Sequence, residues 1–257
     1  MKLVDTHAHL ALLDHCPLED ILAHAKAQGV ERMVSVSTDE GSWESNRNIA
    51  ESHPHIYYTL GLHPHDALRW PECAGKLNGL FATGHAPHKC VGVGEMGLDF
   101  HYNFSPREIQ LDVLEAQFAI ARKVNLPVIL HCRDAFKEMY QMIRDVGLSD
   151  RGGVMHCFTG DAEQAKEAVA LGLMISFSGI LTFKNSSSLR EAAKVVPEDH
   201  LLVETDCPFL APIPFRGKPN EPAYLPMTVQ TLAATRGVST EFMADLTFEN
   251  AVRFFQL

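Results

Sequence analysis

Histidine and carboxylate side chains recur in this chain at the ends of short apolar runs, in a pattern suited to divalent cations. In VDTHAHL, His7 and His9 stand two residues apart, so on a strand both project from one face. Later runs end at GLHPH (His63, His65), VGVGE (Glu95), PVILH (His131), GGVMH (His156) and LLVETD (Glu204, Asp206). Taken singly, each has a plainer explanation. A His-x-His pair occurs by chance, Glu95 could pair with an arginine, and His131 or His156 could be a core histidine bonded to backbone. Glu204 and Asp206 repeat the two-residue spacing, and like charges held on one face are costly without a compensating cation or proton. Five of these strand ends, on the first, fourth, fifth, sixth and eighth runs, offer ligand-type residues that together point to one metal site.

The simplest distribution places one cation on His7, His9 and Asp206 and a second on His131 and His156. Glu95 bridges them, because its two oxygens can serve one ion each. Paired cations about 3.5–4 Å apart activate a water and stabilise the attacking and leaving oxygens of a phosphoryl displacement. Asp206 is the expected proton acceptor, Glu204 an orienting group, and His63 a hydrogen-bond donor or proton shuttle at the reacting phosphate. The expected cofactors are two divalent cations, from magnesium, manganese and zinc. Imidazole ligands favour zinc, manganese or iron over magnesium, and cellular availability can override that.

Eight strand-like runs (3–9, 32–37, 56–62, 90–95, 127–132, 153–157, 173–179 and 201–205) alternate with helical patterns at 18–28, 42–52, 106–124, 133–146, 161–171 and 186–195, with a less clear stretch around 66–82. This order predicts a single α/β domain over 1–257, a (β/α)8 TIM-type barrel, with an open doubly wound sheet as the alternative. Ligands at strand ends fit the barrel, whose active sites assemble there. A helix at about 222–235 and a final pair, STEFMADL and TFENAVRFF, with Thr247 capping the last, add extra C-terminal helices. The segment 207–226 carries six prolines and reads as a long loop over the active-site mouth.

A net charge of −10 argues against a protein that coats nucleic acid with a basic face. No apolar segment suits a signal peptide or a membrane span, so a soluble cytoplasmic protein without membrane contact is expected, with a monomer favoured. The six cysteines form no CxxC pair. Cys132 and Cys157, each following a candidate ligand, are expected to point outward and pack under the helices.

VDTHAHL, GLHPH, GEMGLDF, PVILHCRDA, GGVMHCFTG, SFSGILTFKN and LLVETDCPFLAPIPFRGKPNEP closely resemble the motifs of TatD-type metal-dependent deoxyribonucleases, a branch of the amidohydrolase superfamily. The resemblance implies a distorted α/β barrel, two divalent metals and phosphodiester hydrolysis, usually of DNA from the 3′ end, with single-stranded ends the expected substrate. Carried over by motif, it places the ligands on His7, His9, Glu95, His131, His156 and Asp206. Met96, Phe100, Cys207 and Phe209 stand where relatives often carry Thr, Tyr, Ser and Tyr. For substrate contacts, Arg133 at the start of the fifth helix, Arg216 and Lys218 on the proline-rich loop, and His65 are the candidates, with a salt bridge to Glu221 the alternative for the loop cations. His65 could instead cap local structure. Phe100 and Tyr102 could stack a base or pack under the loop. Two other readings stand beside this one. The same metals could hydrolyse an amide, lactone or D-aminoacyl ester, although many such cousins bridge their metals with a carboxylated lysine rather than a glutamate. A non-catalytic scaffold barrel would have lost ligands.

Overall fold

The computed structural model describes residues 1–257. The strands are β1 (Leu3–Ala8), β2 (Val30–Ser35), β3 (Ile56–Leu60), β4 (Cys90–Asp99), β5 (Val128–Arg133), β6 (Gly153–Met155), β7 (Leu173–Phe177) and β8 (Leu201–Val203). All pair in parallel with their neighbours in chain order. Between them run α1 (Leu18–Ala27), α2 (Glu40–Ser52), α3 (Trp70–Leu80), α4 (Arg107–Val124), α5 (Phe136–Val146), α6 (Ala162–Ala170) and α7 (Ser187–Val195), and after β8 come α8 (Leu225–Arg236) and α9 (Thr240–Phe255). No helix is long and apolar enough to cross a membrane.

Strand periodicity explains how the barrel carries its chemistry on one end. Ile129, Val154 and Leu202 each lie two residues before His131, His156 and Glu204. With Val4, Val34, Val91 and Met174 they form a compact apolar cluster that Ala251 and Phe255 of α9 join. Alternate residues of the same strands thus form an oily floor and, one step further along, a polar cluster above it. The larger core lies between the strands and the surrounding helices.

The barrel closes between its first and last strands without a regular ladder. The Asp206 N–H donates to the His7 carbonyl at 2.9 Å, and the His9 N–H donates to the Cys207 carbonyl at 2.8 Å. The Thr6 hydroxyl donates to the Val203 carbonyl at 2.9 Å. This irregular seam distorts the barrel, and it includes His7, His9 and Asp206, three of the residues singled out for metal binding.

Two local expectations are corrected, and one unclear stretch is resolved. The final helical pair is one helix, α9. Ser239 caps it by accepting the Phe242 N–H at 3.1 Å, while Thr247 lies inside it with its hydroxyl donating to the Met243 carbonyl at 2.9 Å. No breaker separates Leu246 from Thr247, and a threonine that bonds back four residues is accommodated mid-helix. Arg133 closes β5 rather than opening α5, which begins at Phe136. The stretch 66–82 resolves into a 3-10 turn, Pro64–Arg69, followed by α3.

Close approach of β4 to β5 depends on glycine. Gly97 has φ +152°, and a Cβ there would sit 1.9 Å from the His131 carbonyl oxygen. Gly75, within α3, has no atom within 4 Å of such a Cβ. Gly97→Ala is therefore expected to lower unfolding stability by about 3 kcal/mol or more. Gly75→Ala should raise it by roughly 0.5–1 kcal/mol. Urea unfolding of both variants checks the pair, and equal effects would contradict the packing described.

Candidate metal centre

Glu95, inside β4, is the hub. Its Oε2 lies 3.4 Å from His7 Nε2 and 3.7 Å from His9 Nε2. Its Oε1 lies 2.8 Å from His156 Nε2, 3.1 Å from His131 Nδ1 and 3.3 Å from His63 Nε2. Asp206 Oδ1 lies 3.3 Å from His9 Nε2 and 3.7 Å from His7 Nε2. Asp206 adopts a left-handed backbone, φ +58°, uncommon for any residue but glycine and seen at functional turns. Five imidazoles and two carboxylates thus converge from within or just beyond β1, β3, β4, β5, β6 and β8; all but the fully buried His7 line a cavity of about 800 Å³. No lysine or arginine forms a salt bridge with Glu95 or Asp206.

Charge is strongly coupled across this cluster. Burial would raise the Glu95 carboxyl, but His156, His63 and His131 more than reverse that and hold it well below its usual range. Burial likewise opposes ionisation of Asp206, and the hydrogen bond from His9 with the charges of His156 and His7 overcomes it. His156 is pulled well above its ordinary value, against burial, by Glu95 and Glu204. His63 goes the other way, pushed down to about 4 chiefly by burial. The carboxylates therefore stay ionised and demand positive charge, which protons on imidazole or bound divalent cations can supply.

A surrounding set of acids holds these side chains in place. Asp99 Oδ2 accepts from His65 Nε2 at 2.8 Å and lies 3.2 Å from His131 Nε2. Its Oδ1 accepts the N–H groups of His101 and Tyr102 at 3.0 and 2.9 Å. Burial would raise its carboxyl, but the bonds from His131, the Tyr102 N–H and His65 hold it well below its usual range. Glu204 accepts the Cys157 N–H at 2.6 Å and lies 3.3 Å from His156 Nδ1. Asp5 accepts the Thr205 N–H at 2.9 Å, the Thr205 hydroxyl at 2.5 Å and the His7 N–H at 3.3 Å, joining the two strands of the seam.

A family model described as "TatD related DNase" matches residues 4–256. The chain belongs to this family. It is 41% identical over 99% of its length to an uncharacterized metal-dependent hydrolase, YabD, of Bacillus subtilis, covering 99% of that protein. It is 35% identical over 93% of its length to the Salmonella typhimurium 3′-5′ ssDNA/RNA exonuclease TatD, covering 93% of it. The crystal structure of YJJV, a TatD homolog from Escherichia coli, superposes with a TM-score of 0.92 at 29% identity, covering 99% of this chain and 98% of that one. The chain is thus a metal-dependent hydrolase of the TatD family on an eight-stranded α/β barrel.

At this TatD-family cavity, His9, His63, Glu95, His131, His156 and Asp206 line the wall and His7 lies buried directly behind them, so the strand-end residues are brought together. Arg133 also faces the cavity, its guanidinium 4.7 Å from the centre of the Tyr102 ring. Arg216 and Lys218 do not line it. Arg216 lies over the Phe183 ring at 4.0 Å, Lys218 is 6.0 Å from the Phe215 ring, and Glu221 pairs with neither. Phe100 packs in the core beneath Arg107, whereas Tyr102 is half exposed and stacks on Phe104, with centroids 5.4 Å apart. Of the four family departures, Met96, Phe100 and Cys207 are core residues; only Phe209 reaches the cavity, half exposed beside His9. Cys132 packs in the core as expected but also touches the cavity. Cys157 lies on the cavity wall because β6 ends at Met155 and the chain turns left-handed at φ +43°, where strand alternation no longer applies.

Sequence reasoning missed Asp99, Asp5 and Phe104. Asp99 had a usable signal: it follows Glu95 and Gly97 at two-residue spacing on one strand. Replacing Asp99 by Asn should weaken cation affinity by about 10–100-fold, since outer carboxylates orient metal-binding histidines. Calorimetric titration of metal-stripped protein measures this, and unchanged affinity would remove Asp99 from the positioning set.

Proposed function

We propose that this chain is a divalent-cation-dependent exonuclease that removes nucleotides from the 3′ ends of single-stranded DNA. The observation that carries the proposal is Glu95, buried with both carboxylate oxygens faced by imidazole nitrogens and no lysine or arginine paired with it. Such a donor set fits cations, and the buried Glu204 Oε2, without any hydrogen-bond partner, fits a site with further positive charge nearby. His7, His9 and Asp206 would hold one ion and His131 and His156 the other, with Glu95 shared. Imidazole-rich ligation favours zinc, manganese or iron over magnesium. When bound, the ions supply Lewis acidity to the phosphodiester and lower the pKa of water.

The remaining chemistry belongs to side chains. Asp206 accepts the proton of the attacking water from its place on the cavity wall. Glu204 keeps His156 and the turn at Cys157 aligned. His63 Nδ1 accepts the His65 N–H at 3.2 Å, so a neutral His63 carries its proton on Nε2, the nitrogen directed to the centre. It is therefore a donor to the phosphoryl group or the leaving oxygen. His65, tied to Asp99, is positioned beside it.

The rim supports a preference for single strands. Tyr102 and Phe104 form an exposed aromatic pair beside Arg133, and Phe209 also lies on the cavity wall. Aromatic faces stack unpaired bases, which a duplex does not present. With a net charge of −10, binding rests on these contacts and the cations rather than on a basic surface.

Metal-stripped protein, resupplied with Mg²⁺, Mn²⁺ or Zn²⁺, is expected to shorten a 5′-labelled single-stranded oligonucleotide from its 3′ end, while Asp206→Asn prepared in parallel does not. Absence of cleavage with every cation would reject the exonuclease reading. Tyr102→Ala with Phe104→Ala should raise KM for single-stranded DNA roughly tenfold, from about 1–3 kcal/mol of stacking per base. Arg216→Ala should leave KM unchanged; steady-state kinetics separates the two, and the reverse ranking would move substrate onto the proline-rich loop.

A further inference from the structure

A second cluster of metal-ligand type lies outside the catalytic cavity, between the segment before α1 and the proline-rich loop. Glu221 is buried, at 8% exposure, yet its only ionic partners are histidines. His15 Nε2 lies 3.4 Å and His24 Nδ1 3.5 Å from the same oxygen, Glu221 Oε2. The ligand atoms of His15, Cys16 and Glu221 all fall within 4.8 Å of one another. Glu221 precedes the 3-10 turn Pro222–Tyr224 but makes no side-chain cap there, so its carboxylate serves no local backbone purpose. Nitrogen and oxygen ligands of a tetrahedral zinc ion lie about 3.3–3.4 Å apart, and a thiolate about 3.6 Å from either, given the usual bond lengths. The His15–Glu221 separation already matches that edge, and the His24–Glu221 separation is slightly longer.

We propose that His15, Cys16, His24 and Glu221 form a structural site for a zinc-class divalent cation, separate from the catalytic centre. Its mixed sulfur, nitrogen and oxygen ligands suit zinc rather than magnesium or calcium. His15, Cys16 and Glu221 already lie together, and His24 beside Glu221 is the ligand that would complete the set, so the ion acts as a clasp. It fastens the loop after β8 to the segment after β1. Asn220, next to Glu221, donates to the Phe209 and Thr205 carbonyls at 2.6 and 2.8 Å, so the clasp is one residue from the contacts that place Phe209 at the cavity.

Cobalt(II) reports this site by itself, because a thiolate ligand gives a sulfur-to-cobalt charge-transfer band that the histidine and carboxylate ligands of the catalytic centre do not. Metal-stripped protein loaded with excess Co²⁺ is expected to show the band. Cys16→Ser should abolish it, and Cys157→Ser, the cavity control, should retain it. Zinc content by mass spectrometry should fall by one equivalent in His15→Ala, which alters the site without touching the thiol. No band in the wild-type protein, or a band that survives Cys16→Ser, overturns the proposal. So does a zinc content unchanged in His15→Ala. None of these readouts depends on nuclease activity, so the result stands whatever the exonuclease assay gives.

Discussion

A carboxylate buried in protein costs several kcal/mol unless positive charge lies beside it. Glu95 meets that demand with imidazoles from four other strands. The rest of the barrel can be understood as the means of bringing those strands close enough. Glycines on β4 and just after β3 let the strands approach: a Cβ at Gly61 would lie 2.4 Å from the Gly94 Cα, and one at Gly94 would lie 2.6 Å from the Ile129 carbonyl oxygen. The apolar floor beneath excludes water from one side, which strengthens electrostatic interaction at the cluster.

The same demand shapes the seam. Asp206 and the His-x-His pair come from opposite ends of the strand order, and backbone bonds between them close the barrel. Asp5 reinforces the junction through Thr205 and the His7 N–H, and burial lifts its carboxyl to about 7 against the hydrogen bonds it accepts. Closing the barrel and positioning the cluster are therefore one structural event.

Strand-end residues were legible in the sequence because strand geometry repeats every two residues and the apolar runs were unmistakable. His131 and His156 project toward the cluster because Ile129 and Val154 project to the floor. Asp99 escaped because β4 was expected to stop at Glu95, whereas it continues to Asp99. Loop side chains lack any such period. Arg216, with charge and position suited to phosphate, turns onto Phe183, and Glu221, expected beside the loop cations, meets His15 and His24. Their directions follow from backbone turns that no short-range pattern encodes. The single helix α9 was split for a similar reason, since Thr247 suits both a cap and a mid-helix position.

The bond between Asp5 and Thr205 spans 200 positions of the chain. During synthesis the N-terminal strand must wait for nearly the whole barrel to emerge before its partner exists. Contacts of such long range form late, because the loop they close must be ordered first. A nascent chain therefore carries its histidines apart, and the hydrolytic centre is assembled only when β8 docks, so the growing polypeptide passes most of its synthesis without a working site.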